Sequence, residues 1–477
     1  MAAAAPSPDA LNTTRGLHWP VKQKFHDQAE RIVQRVRAGE EVWEVLKECR
    51  AARRSSNTGL GRALAVFYSD LEADDVMGVA QILQWRRQRD ADSADPCIIY
   101  CADFRRKDAG LVFEKKLLMA ALMLGLPDSS FHVLTPEDDS GQTRGGVAKH
   151  PQHQPCVERR AEEVRRVCQR LVSFTGDQVD LYITAPGRGN LGAIFNGLQG
   201  DFQWPLPGKS WSVSLYSGSY NMRGMTDQDH AALEAFSRCS NLPLVDLSRY
   251  VFFGGQAAHP CTDSVASFAL PDFTRKLAER DPLLAAALKS FHDEFNKGLV
   301  DPSNPLLFKG SELTEEEEAR FEVLKGIFET QGVSVYAEKL AADEELLKKV
   351  VDYKRPTVLS FAEDGSDFPM CDQLIWVREW LLHEHGDWLE PEEEGAWLCD
   401  RKSGHTRVEQ GASGGIERGV QARLRNPGDV AALEAIRLAW QENLLCHLDS
   451  LEPERGAWCP MCLPAARRLA AAVCGRR

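Results

Sequence analysis

No apolar run in this chain approaches the ~20 residues needed to span a bilayer, which argues against a membrane-spanning helix and a membrane partner. Basic charge is not in excess either. Seventy acidic side chains outnumber 57 basic ones for a formal net charge of −13, the wrong sign for a nucleic-acid backbone as partner. The first residues, Met1-Ala2-Ala3-Ala4-Ala5-Pro6-Ser7-Pro8, lack both a basic segment and an apolar core, so no secretory signal is expected and the chain reads as cytoplasmic. The 13 cysteines form no regular framework and read mostly as reduced, buried thiols. There is no internal repeat and no Gly-x-Ser-x-Gly, zincin or kinase motif. Gly411 to Gly419 is Gly-rich but lacks the Lys-Ser/Thr of a phosphate loop.

What is present is a repeated alternation of short apolar runs with amphipathic segments. Leu64–Tyr68, Cys97–Cys101, Phe131–Leu134, Val179–Thr184 and Trp211–Leu215 read as buried strands. Between and after them Val76–Arg86, Gly110–Leu124, Glu158–Ser173, Asn190–Leu198 and Asp227–Ser237 read as helices. Strands alternating with helices at this pitch predict βαβ units and an α/β fold, an open, mostly parallel sheet flanked by helices. Beyond about residue 270 the pattern is mostly helical: 270–297, 313–349 and 427–445 read as helices, and 403–419 as a loop or hairpin. The run Thr314-Glu315-Glu316-Glu317-Glu318 reads as a solvated helix start. The expected organisation is an N-terminal tail and helical extension over 1–60, a main domain over 61–448 with a helical insertion around 298–355, and a Cys-containing tail over 449–477. Whether the chain forms a homo-oligomer is left open.

Chemistry concentrates at the end of the first strand, where Ser69-Asp70-Leu71-Glu72-Ala73-Asp74-Asp75 runs into a helix. In open α/β sheets ligands bind beyond the carboxyl ends of strands. Three carboxylates this close repel one another and favour a cation between them, and oxygen-only ligands suit Ca²⁺ or Mg²⁺ better than zinc. The plainer alternative is that Asp74 caps the helix and Asp70 merely ends the strand. Two weaker signals stand beside this one. Cys459-Pro460-Met461-Cys462, with Cys446, His447 and Cys474, offers half of a zinc site. His150 and His153 lie in the long loop 137–156 and could supply a leaving-group acid.

Asp-x-x-x-Asp-Asp after a first strand resembles the inosine/uridine-preferring nucleoside hydrolase family. Further segments follow that family's order. Cys97–Asp103 resembles its second strand, and Ile183–Leu191 its Gly-Pro-Leu-Thr-Asn turn. Ser219–Met222 resembles Glu-Phe-Asn-hydrophobic, Leu244–Ser248 resembles Pro-Leu-Asp-Val-Thr, and Met370–Leu374 resembles the late Met-His-Asp-Pro segment. The resemblance covers roughly 62–446. It implies a nucleoside hydrolase-like fold and Ca²⁺-dependent cleavage of the N-glycosidic bond of a nucleoside-like small molecule. Position by position, it implies Asp70 as general base and metal ligand, and Asp75 and Asp372 as metal ligands. The carbonyl at Gly189 supplies a further ligand, while Asp74, Asp103 and Asn221 bind the ribose. Asp263 is the rival to Asp372 for the late ligand. Tyr68, Leu71-Glu72-Ala73, Gly189, Ser219 and Cys371 depart from the family pattern, so metal binding without catalysis, or a metal-dependent phosphohydrolase, are the alternative readings.

Overall fold

The structure is a computed structural model that describes residues 62–71, 73–89, 95–101, 116–117, 120–126, 128–136, 158–184, 189–215, 222, 225–240, 244–246, 268–269, 273–287, 369–370, 389–400, 406–421 and 430–450. It also describes residue 386 and isolated positions within 27–40 and 314–343.

The apolar runs become strands β1 (Ala63–Ser69), β2 (Asp95–Cys101), β3 (Phe131–Leu134), β4 (Gln178–Ile183), β5 (Ser210–Leu215) and β6 (Leu244–Asp246). Later in the chain come β7 (Phe268–Ala269), β8 (Pro369–Met370), β9 (Glu393–Cys399), β10 (Thr406–Glu409) and β11 (Ile416–Gln421). Nine strands form one sheet in the order β10-β9-β11-β6-β5-β4-β1-β2-β3, while β7 and β8 pair separately. Every pair from β3 across to β11 is parallel, and the two pairs made by β9 are antiparallel. The expected α/β class with a mostly parallel sheet is thus observed.

Helices cover both faces, as the continuous apolar character of the central strands requires. Strand alternation sends Leu64, Val66 and Tyr68 of β1, with Leu181 and Ile183 of β4 and Trp211, Val213 and Leu215 of β5, to one core. Helices α2 (Arg160–Ser173), α3 (Asn190–Asp201) and α4 (Asp227–Arg238) supply Val167, Leu171, Leu191, Ile194, Leu233 and Phe236 to it. Phe67 and Tyr182 point to the opposite face and stack there with ring centroids 5.0 Å apart. Against them lies α1 (Ala73–Arg89), whose Arg86 donates to the Tyr182 hydroxyl and pairs with buried Asp180 at 2.5 Å. Ser212 Oγ (2.5 Å) and Gln178 Nε2 (2.8 Å) also donate to Asp180, so this buried charge is fully partnered. Helix α6 (Val430–Ser450) packs on α1, and Lys276 and Arg280 of α5 (Phe273–Arg280) pair with its Glu442 and Asp449.

Two expectations need correcting. The stretch 403–419 is not a hairpin: β10 and the start of β11 lie in it, and both pair with β9 instead of with each other. The strand β9 was not foreseen, because Glu392-Glu393-Glu394-Gly395 masks its apolar half. It is held in place by Trp397, whose Nε1 donates to buried Asp246 at the end of β6 (3.1 Å). Five described cysteines (Cys97, Cys101, Cys168, Cys239 and Cys399) are free, as expected. Cys446 is disulfide-bonded, which removes it from the suggested zinc set. No helix among the described residues is long and apolar enough to cross a membrane.

One buried polar link ties β3 to α2. His132 is buried, and its Nδ1 donates to Glu163 Oε2 at 3.4 Å. Burial disfavours the imidazolium, but interactions with the Cys97 side chain and the Glu163 carboxylate outweigh it and raise His132 to about 9. Burial likewise opposes the Glu163 carboxylate, yet His132, Arg166 and Arg159 hold it below its usual range. Because the folded value of His132 lies above its ordinary 6.5, its contribution is whole below that pH and is lost as pH rises through about 9. Glu163 has the opposite sign: its contribution is lost as pH falls below its ordinary 4.5. Between pH 7 and 10, wild-type protein should therefore lose on the order of 1–3 kcal/mol more stability than His132→Gln. Urea midpoints at the two pH values measure this, and equal losses in both proteins would refute the link.

Candidate functional site

The strand order β3-β2-β1-β4-β5-β6 reverses between β1 and β4, and crevices at such switch points, beyond the carboxyl ends of the strands, are where ligands bind in open α/β sheets. The acidic turn sits there. Asp70 follows β1 directly and is 7% exposed, and Asp75, 2% exposed, lies in the first turn of α1, where the helix dipole favours a carboxylate. The chain turns between them at Leu71, a fully buried non-glycine residue with φ of 54°. That left-handed conformation costs a β-carbon-bearing residue about 1–2 kcal/mol. It is held by the hydrogen bond from Leu71 N to Ser69 Oγ (2.8 Å). On the other side of the turn, buried Lys116 reaches in and donates from Nζ to the main-chain oxygen of Asp70 at 2.8 Å.

The end of β4 forms the facing wall. Thr184 donates both its amide and its hydroxyl to the Tyr68 carbonyl, each at 2.9 Å, which locks the two strand ends together. Tyr68 stands two residues before Asp70. It is buried in the core, and burial with neighbouring Cys101 and Cys97 raises its phenol well above the ordinary value. Gly189 enters α3 with φ of 81°, a left-handed conformation that suits glycine. Buried Arg160, the first residue of α2, joins three segments. It donates to the Thr135 carbonyl after β3 (2.8 Å), to Asn190 Oδ1 (2.9 Å) and to the Gly189 carbonyl (3.4 Å).

Beneath this wall lies Asp229, fully buried in the first turn of α4. Its carboxylate accepts from Gly189 N (2.7 Å), Gly192 N (2.8 Å), Thr226 N (2.9 Å) and Thr226 Oγ1 (3.0 Å). Burial pushes this carboxyl above its usual range, and the Thr226, Gly192 and Gly189 hydrogen bonds restrain the rise. Close approach of α3 to α4 depends on Gly192: a Cβ there would fall 2.6 Å from Gln228 Cβ and 2.8 Å from the Gln228 main-chain carbon.

Of the residues named from sequence, the structure thus places Asp70, Asp75 and Gly189 around the switch point. Asp74 is in the first turn of α1, but its side chain is outside what is described, as are Asp103, Asn221, Asp372, the rival Asp263, and His150 and His153. The Gly189 carbonyl is already engaged, accepting from Ala193 N at 2.9 Å and from the Arg160 guanidinium. It faces a positive group where the resemblance implies a metal. Among the described residues no three of His, Cys, Asp and Glu are grouped to hold a metal ion. Asp70 and Asp75 bring two buried carboxylates to this part of the fold, and oxygen donors are the kind a hard divalent ion takes. Sequence reasoning missed Lys116, Arg160 and Asp229. Only Asp229 carried a readable signal, since Thr226-x-x-Asp229 has the spacing of a capping box, which the structure forms.

Fold and site together define an α/β protein with a carboxylate-bearing turn at the switch point of a mostly parallel sheet. The chain matches no protein-family model and no curated protein.

Proposed function

We propose that the chain hydrolyses the N-glycosidic bond of a nucleoside or related ribosyl compound, with Ca²⁺ as the cation of the acidic turn. The observation that carries this reading is the placement of Asp70 and Asp75, two buried carboxylates five residues apart, at the carboxyl end of β1 beside β4. A hard divalent cation supplies positive charge that organises vicinal hydroxyls and water. Asp70 is the base that takes the proton from the attacking water, and its negative charge also favours an oxocarbenium-like transition state. Asp75 and Asp372 hold the cation, and Asp74, Asp103 and Asn221 bind the sugar hydroxyls, as the resemblance implies. This is a hydrolase function of nucleoside metabolism, with a small molecule as partner.

The engaged Gly189 carbonyl favours a second reading, in which the same cleft binds a cation and a small ligand without turnover. Purified protein incubated with a panel of purine and pyrimidine nucleosides separates the two. Release of free base that stops on chelation and resumes with added Ca²⁺ is the expected result. No base release, with Ca²⁺ still raising the melting temperature, would replace hydrolysis by binding. Inorganic phosphate released from phosphorylated substrates without free base would point to a phosphohydrolase instead.

A further inference from the structure

Lys116 is buried, and its ammonium donates to the main-chain oxygen of Asp70 at 2.8 Å; no carboxylate oxygen among the described residues pairs with it directly. Among the described residues the ammonium contacts a neutral carbonyl, and a buried ammonium so placed is costly unless negative charge lies within electrostatic range. The acidic turn provides that charge. Covalent geometry keeps the Asp70 carboxylate within about 8 Å of an ammonium that is bound to the same residue's carbonyl. Asp75, also buried, follows at the start of α1.

We propose that Lys116 is a built-in counter-ion of the acidic turn, a positioning residue that sets how strongly the turn takes up a divalent cation. The proposal rests on the reading that this turn binds such a cation. The ammonium places a positive charge behind the acidic turn, and that charge repels a metal that arrives there. Its contact is with the main chain, so it also fixes where the Asp70 carboxylate begins. At an effective dielectric constant of about 40 and a separation of about 8 Å, one unit charge alters the affinity of a divalent ion by well over tenfold.

The test is calorimetric titration of Ca²⁺ into the full-length protein and into Lys116→Gln, Lys116→Met and Lys116→Arg, with melting temperatures recorded in chelator. Both neutral variants should bind Ca²⁺ at least about tenfold more tightly than wild type, and Lys116→Arg should bind like wild type. Uptake by the neutral variants alone would support the proposal equally. If wild type binds and the neutral variants bind no more tightly, the counter-ion role is refuted and Lys116 only props the turn. If no protein binds Ca²⁺, the cation reading falls and this proposal falls with it. Two neutral side chains of different shape guard against one that fails to fold. A purely structural role would lower the melting temperature in chelator without tightening Ca²⁺ binding.

Discussion

Asp229→Ala should lower the unfolding free energy by about 3–5 kcal/mol, the largest stability loss expected of any single change near the site. Four donors converge on this carboxylate from three places: the turn before α3, the first turn of α3 and the cap of α4. Alanine would leave the amides of Gly189, Gly192 and Thr226 facing a void, and the cost of a buried donor without an acceptor falls on each. Asp229→Asn keeps one oxygen but turns an NH₂ group towards amides that also donate, so it should recover less than half of the loss. Urea unfolding followed by far-ultraviolet circular dichroism measures both variants. A loss below about 1 kcal/mol for Asp229→Ala would show that the α3–α4 junction does not depend on this carboxylate. Functionally, the same change loosens Gly189 and Asn190, so any activity should fall together with stability.

The second large effect is on chemistry. Asp70→Asn should cut the rate of base release by about 10²–10⁴ while leaving the melting temperature within a few degrees of wild type. The stability half of this prediction follows from the structure: Lys116 holds the main-chain oxygen of Asp70, which asparagine retains. The activity half follows from proton affinity, since a neutral amide cannot take a proton from water. Asparagine also removes one negative charge from the turn proposed to hold the cation, so the Ca²⁺ concentration required should rise alongside the loss in turnover. Full activity in Asp70→Asn would end the case for Asp70 as base, and a collapse of stability would show that its carboxylate is structural.

Much of the scaffold is legible in the sequence. Each central strand is a compact apolar run with polar punctuation, and each helix after it has helical spacing, so β1 to β5 and the helices α1 to α4 fall within a few residues of where local pattern puts them. The acidic turn was readable for the same reason: Asp70, Asp74 and Asp75 lie within six consecutive positions, and a strand end followed by a helix start is a local event. What failed was either masked or non-local. Acidic residues hid β9, and 403–419 looked like a self-contained turn because nothing in the segment reveals that its strands pair with β9 instead of with each other.

The three aspartates therefore belong to the sequence: their types, their spacing and their place after an apolar run are fixed by covalent order. Their surroundings belong to the tertiary structure. Lys116 stands 46 residues from Asp70, Arg160 stands 29 from Gly189, and Asp229 stands 40 from Gly189; only packing brings each pair together. The physical reason is one of range. Hydrophobic spacing acts over a few residues and leaves a local record, whereas a buried charge finds its counter-charge or hydrogen-bond partner only once the sheet has set β1 beside β4. At this switch point that second step put a lysine behind the acidic turn and an arginine on the facing carbonyl, two cations that no local pattern in the chain announced.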